Sequence, residues 1–101
     1  MTFQVRVLPR AENDLFEIRD YIRRDAPETA ANAIEQILDA IATLEDFPER
    51  GARPRDGRLR ELRFRVLVGE PHLIFYKVDK GRRLVHVYRV LHARRSYAEI
   101  L

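Results

Sequence analysis

Val85-His86-Val87-Tyr88-Arg89-Val90-Leu91 is a run of strand formers that stops in His92-Ala93-Arg94-Arg95. Such a run places cationic and titratable groups at the end of a strand, where an anionic partner can be met. Immediately before it, Asp79-Lys80-Gly81 is a turn signal, and His72 to Val78 is a second strand-like run. The two runs predict a β-hairpin over 72–78 and 84–91. Further back, Leu62, Phe64 and Val66 alternate with Arg63 and Arg65, which predicts a third strand. The segment 48–58 holds two Pro, two Gly and four Arg, and reads as a loop with no regular element.

The N-terminal half has a different period. Phe3, Val5 and Val7 alternate with Gln4 and Arg6, as a strand does, and Pro9 ends it. Proline suits the first turn of a helix, and Glu12 and Asp14 follow where negative charge is favoured. Leu15, Ile18 and Ile22 then line one face of a helix from Arg10 to about Asp25. Pro27 breaks it and opens the next. There Ala30, Ile34, Ile37, Ile41 and Leu44 recur at spacings of four and three, until Phe47-Pro48. So short a link makes the helices an antiparallel hairpin. Ser96 and Glu99 form a capping-box pattern for a short C-terminal helix. The expected fold is α+β, in the order β-α-α-β-β-β. Its N-terminal strand and α-hairpin pack on one face of a small, mainly antiparallel sheet in a single domain, 1–101.

One helical hairpin covers only one face of a sheet, yet the strands are apolar on both. Ile74, Tyr76 and Val78 alternate with Leu73 and Phe75, and Leu84, Tyr88 and Val90 are assigned opposite Val85, Val87 and Leu91. The second face therefore needs cover, from the C-terminal segment or from another chain. A partner chain is the expectation drawn here.

The charge is strongly divided. Residues 1–49 carry five Arg against eleven Asp and Glu, whereas residues 50–101 carry fourteen Lys and Arg against five acids. The basic half suits a phosphate backbone or an acidic protein segment. All but two of the 19 basic residues are Arg, whose planar fork grips phosphate or carboxylate in two places. Cysteine is absent, which removes disulfides and thiolate metal sites and fits a reducing cytoplasm. No apolar stretch approaches the length of a membrane span, and Met1 to Arg6 lacks the start of a signal peptide. Three His, 72, 86 and 92, lie without a close His/Asp motif, so no metal or other cofactor is expected.

Several segments in a fixed order resemble the RelE/ParE superfamily of type II toxin–antitoxin toxins, its ParE branch most closely. They are Pro9, Ala11, Asp14, Leu15, Ile18, Tyr21 and Ile22 on the first helix, and Pro27 and Ala30 opening the second. Ile37, Leu44, Pro48 and Gly51 follow, with Glu61-Leu62-Arg63, Ile74-Phe75-Tyr76 and Arg89-Val90-Leu91-His92-x-Arg94-Arg95 in the sheet. The resemblance spans nearly the whole chain. It implies a cytoplasmic toxin wrapped and neutralised by a ParD-like antitoxin. In the ParE branch it implies inhibition of DNA gyrase without catalysis, and in the RelE branch cleavage of messenger RNA on the ribosome. A member that has lost toxicity and serves the antitoxin or its operon is a third reading.

Cleavage by the 2′-OH needs a proton acceptor, a proton donor and cations for the phosphate. The candidates for that chemistry are Arg65, Arg89, His92 and Tyr97. In the ParE reading no residue is catalytic. Arg94, Arg95 and His92 are then expected to meet the target, and Arg63, Arg65, Tyr76, Tyr88 and Arg89 the antitoxin.

Overall fold

The computed structural model describes residues 2–95. Tyr97 and the capping-box pair Ser96 and Glu99 lie outside them. The elements run β1 (Gln4–Val7), α1 (Pro9–Arg23), α2 (Pro27–Ala42), a 3-10 turn (Thr43–Glu45), α3 (Gly57–Glu61), β2 (Arg65–Gly69), β3 (His72–Asp79) and β4 (Leu84–His92). Four strands form one sheet in the order β1-β4-β3-β2. β1 is parallel to β4, with Gln4 beside Leu84 and Val7 beside Val87, and the other pairings are antiparallel. The helices form the crossover that a parallel pairing requires. The expected α+β fold is the one observed.

Pro9 and Pro27 stand in the first turns of their helices, with Glu12 and Glu28 beside them. Both choices suit the unpaired N–H groups and positive end of a helix. The apolar stripes of α1 and α2 meet the sheet in one core. Ala11, Ile37, Ile41 and Leu44 pack there with Leu67, Ile74, Tyr76, Val85, Val87 and Val90. Leu15, Ile18 and Ile34 pack against its edge.

The structure departs from the sequence reading in three places. Residues 57–61 are helical, where the expected loop runs to residue 58, because Asp56 caps them, its side chain accepting from Leu59 N at 3.0 Å. Phe64 N donates to Leu59 O and Arg63 N to Arg60 O, both at 3.0 Å, the paired bonds of a Schellman helix end. As a result Leu62 and Phe64 are not on a strand, and β2 starts at Arg65.

The second departure follows from the first. Leu59 and Phe64 lie buried against Phe75 and Leu91 on the far face of the sheet, with Val66, Leu73 and Tyr88 around them. The chain therefore covers the centre of that face itself, with α3 and the residues that follow it. Burial of each such side chain stabilises by about 1.5–3 kcal/mol, which holds a five-residue helix too short to persist alone.

Third, the β3–β4 register slips between Phe75, beside Arg89, and Tyr76, beside Val87. Tyr88 is the extra residue of a β-bulge. The bulge reverses the alternation after it. Val90 therefore joins Val85 and Val87 under the helices, and Leu91 joins Tyr88 on the far face, the reverse of the assignment from strict alternation.

The Schellman end puts Arg63 at φ 65°, the left-handed region where glycine is favoured. Arg63→Gly is expected to raise the unfolding free energy by up to about 1 kcal/mol. Urea denaturation measures it, and a lower midpoint for the variant would show the conformation carries no strain.

Candidate functional site

The far end of the sheet, beside α1, forms a groove of about 620 Å³. Ile18, Tyr21 and Ile22 of α1, and Val90 and Leu91 of β4, line it with His72, His92, Arg94 and Arg95. Tyr21 is 74% exposed. The sheet holds the cationic end in place through backbone bonds. Ala93 N donates to Pro71 O at 2.9 Å and Arg95 N to His92 O at 3.0 Å. Arg94 N donates to His92 Nδ1 at 3.1 Å, which leaves Nε2 to carry the proton of the neutral ring. Arg94 and Arg95 are exposed. The structure thus brings His92, Arg94 and Arg95 together, as the sequence placed them.

His72 lies opposite His92 on the neighbouring strand, the rings edge to face with centroids 5.7 Å apart. Burial, and then the nearby His92, hold the His72 pKa below its ordinary value. As pH falls through about 6.5, the unfolded chain takes a proton at this residue that the folded chain refuses, so stability declines. His72→Gln is expected to flatten this loss between about pH 6.5 and 5. Denaturation midpoints compared at those pH values check it, and identical slopes for both proteins would remove His72 as the cause.

Arg89 is not at a surface. It is 5% exposed and grips Asp14 of α1, Nε to Oδ2 at 2.7 Å and Nη2 to Oδ1 at 2.9 Å. Val90 N also donates to Asp14 Oδ2 at 2.9 Å. These hydrogen bonds raise the pKa of Arg89 further. Asp14 is 3% exposed, so it is an interior carboxylate as well as a helix-start charge. The pair leaves Arg89 no fork for a partner, which corrects its expected role as a contact residue. Tyr76 is corrected likewise. It is fully buried, and its hydroxyl accepts from Gly51 N at 2.8 Å. Burial, the largest cause, raises its pKa.

Arg63 and Arg65 line a second cleft, of about 510 Å³, at the opposite end of the strands. Arg53, Arg60 and Lys80 also line it, with Glu49 and Glu61. Arg65 Nη1 donates to Gly51 O at 2.8 Å and to Glu49 O at 3.2 Å, which fixes the loop as a wall of the cleft. Lys80 pairs with Glu49 and, by hydrogen bond and charge, lowers the pKa of that exposed carboxyl. Tyr88 stands between the two regions. Its ring meets Phe64 edge to face at 5.2 Å, and Lys77 Nζ lies over both rings, 4.5 Å from Phe64 and 5.1 Å from Tyr88.

Of the residues expected to serve a nuclease, the three described, Arg65, Arg89 and His92, do not converge. Arg65 pairs with Tyr76 and His92 with His72, so the two lie four residues apart along β3 and two strands apart across it. That is about 13 Å along the strands and about 10 Å across them. Arg89 is enclosed between them.

A four-stranded mixed sheet with one α-hairpin on it and a cationic groove beside the last strand defines the RelE/ParE class of small toxins. The chain belongs to the ParE toxin family: the family described as "ParE toxin of type II toxin-antitoxin system, parDE" matches residues 5–97. It is 41% identical over 86 residues to Toxin RelE2 of Caulobacter vibrioides, covering 85% of this chain and 90% of the relative. It is 32% identical over 98 residues to the toxin candidate Y4kP of Sinorhizobium fredii, covering 97% and 96%. The solved chromosomal ParDE toxin–antitoxin system from P. aeruginosa shares the fold. Its TM-score is 0.73 at 19% identity, over 89% of this chain and 95% of that one. Among the described residues, no helix is long and apolar enough to cross a membrane.

Proposed function

We propose that this toxin acts in the cytoplasm by binding DNA gyrase without catalysing a reaction, and that a ParD-like antitoxin neutralises it. The dispersal of Arg65, Arg89 and His92 carries the non-catalytic reading: Arg65 is tied to loop carbonyls, Arg89 is buried in an ion pair, and His92 lies two strands away from Arg65. General acid–base work needs its groups within hydrogen-bond reach of one reacting centre. The antitoxin's place is the groove of α1 and β4. Its apolar lining accepts an amphipathic segment, and Arg94 and Arg95 accept the acidic residues of such a segment or a surface of the target. The P. aeruginosa neighbour is itself a toxin–antitoxin system.

The relative named Toxin RelE2 favours a second reading, a ribosome-dependent endoribonuclease. A supercoiling assay with purified gyrase separates the two. Inhibited supercoiling with intact messenger RNA is the expected result, and messenger RNA cut in translation extracts with normal supercoiling would overturn it. Arg94→Ala/Arg95→Ala is expected to weaken growth arrest while leaving the denaturation midpoint unchanged, since exposed substitutions move stability by within about 0.5 kcal/mol. Full toxicity of that variant would remove these residues from the contact.

A further inference from the structure

The cleft lined by Arg53, Arg60, Arg63 and Arg65 differs in kind from the groove. The groove has an apolar lining, whereas the cleft is walled mainly by charged side chains. Within the cleft Lys80 pairs with Glu49 and Arg65 is held by loop carbonyls, so those two cations are already engaged. Among the described residues, the side chains of Arg53, Arg60 and Arg63 make no hydrogen bond or ion pair. Three free forks facing one opening repel each other until an anion with several charges joins them.

Arg63 supplies a second, independent observation. It occupies a left-handed position at the end of α3 that glycine would fill without strain. A residue kept against local backbone preference is a pointer to function. Here the left-handed turn delivers a guanidinium to the cleft wall beside Phe64 and Arg65.

We infer that this cleft binds the phosphodiester backbone of duplex DNA. Forks at separate points of a charged wall match phosphates repeating along a strand. A peptide ligand would want apolar anchor points, which the groove offers and the cleft largely lacks. The choice of duplex DNA rests on the gyrase reading, because a gyrase-bound toxin sits beside DNA. The cleft itself does not rest on that reading.

Fluorescence anisotropy with a labelled 20-base-pair duplex, using the full-length toxin without gyrase, tests the inference. Binding is expected to weaken steeply with salt. Arg53→Ala and Arg60→Ala are each expected to lower affinity severalfold and reduce the salt slope by about one. Arg24→Ala, which removes an exposed cation at the end of α1, is the control for net charge and should change little. Arg63→Gly gives the sharpest readout: a more stable protein that binds DNA several times more weakly. Equal losses in Arg24→Ala and the cleft variants would overturn the site. So would an absence of duplex binding, or tighter binding of single-stranded RNA of the same length. Displacement of the duplex by poly-glutamate at matched charge would assign the cleft to acidic protein instead. Supercoiling inhibition without duplex binding removes this inference and leaves the gyrase reading, and the reverse result does the opposite.

Discussion

Asp14→Ala is expected to destabilise the protein by about 3–5 kcal/mol, the cost of leaving a buried charge without its partner. Three hydrogen bonds end on this carboxylate, two from Arg89 and one from Val90 N. After truncation the Arg89 guanidinium, 5% exposed, keeps its charge without its carboxylate partner, and the Val90 N–H loses its acceptor. Against a total stability of about 5–15 kcal/mol for a domain, that loss populates the unfolded state visibly. The double variant Asp14→Leu/Arg89→Met is expected to recover most of it, because apolar side chains of similar size remove both desolvated charges at once. Urea denaturation of the two variants and the parent decides. A single-variant loss below about 1 kcal/mol, or a double variant no better than the single, would show that the pair is not what joins α1 to β4. The site depends on that joint: Ile18 and Ile22 of α1 line the groove together with Val90 of β4. A loosened α1 should therefore weaken antitoxin binding even where Arg94 and Arg95 are intact.

The same residue shows how far the sequence could be read. The stripe of Leu15, Ile18 and Ile22 was legible from spacing alone, and it defined the helix. Asp14 sits on that stripe, and a carboxylate on a core-facing row must be paired. That signal was present, yet the charge also suited a helix start, which hid it. Its partner lies 75 residues away, and no local pattern links the two. The bulge at Tyr88 was not legible either, since neither Gly nor Pro marks it, so Val90 and Leu91 were assigned to each other's faces. For α3 the clue was Asp56, a good cap three residues before Leu59. The alternation of Leu62, Phe64 and Val66 looked like a strand and won over it. At the site, residue types were readable and exposure was not. His92, Arg94 and Arg95 cluster because they are adjacent in sequence, whereas the burial of Tyr76 and Arg89 depends on tertiary neighbours.

Gly51→Ala is the second large effect, expected at about 2–4 kcal/mol. Gly51 is not needed for its backbone angles, since no glycine here has positive φ. It is needed for space. A Cβ at this position would lie 2.6 Å from the Tyr76 hydroxyl, 2.8 Å from Tyr76 Cε1 and 2.8 Å from Val66 O. The hydroxyl cannot swing away, because Tyr76 is fully buried. Nor can the loop retreat freely, because Ala52 and Val66 exchange two backbone bonds of 2.9 Å beside it. The substitution must therefore break the bond from Gly51 N to Tyr76 or move β2. Tyr76→Phe alone leaves the buried Gly51 N–H unpaired and should cost about 1–3 kcal/mol. Combined with Gly51→Ala it removes the nearest clash, so the double variant should cost less than the sum of the singles. Strict additivity in urea denaturation would mean the two groups do not meet. The consequence reaches the basic cleft, because Arg65 is held by the carbonyls of Glu49 and Gly51. A displaced loop frees that guanidinium and moves Arg53 with it, so Gly51→Ala should also lower duplex affinity under conditions where the variant is still folded. Unchanged affinity in a folded but destabilised variant would show that the cleft does not depend on this loop for its shape.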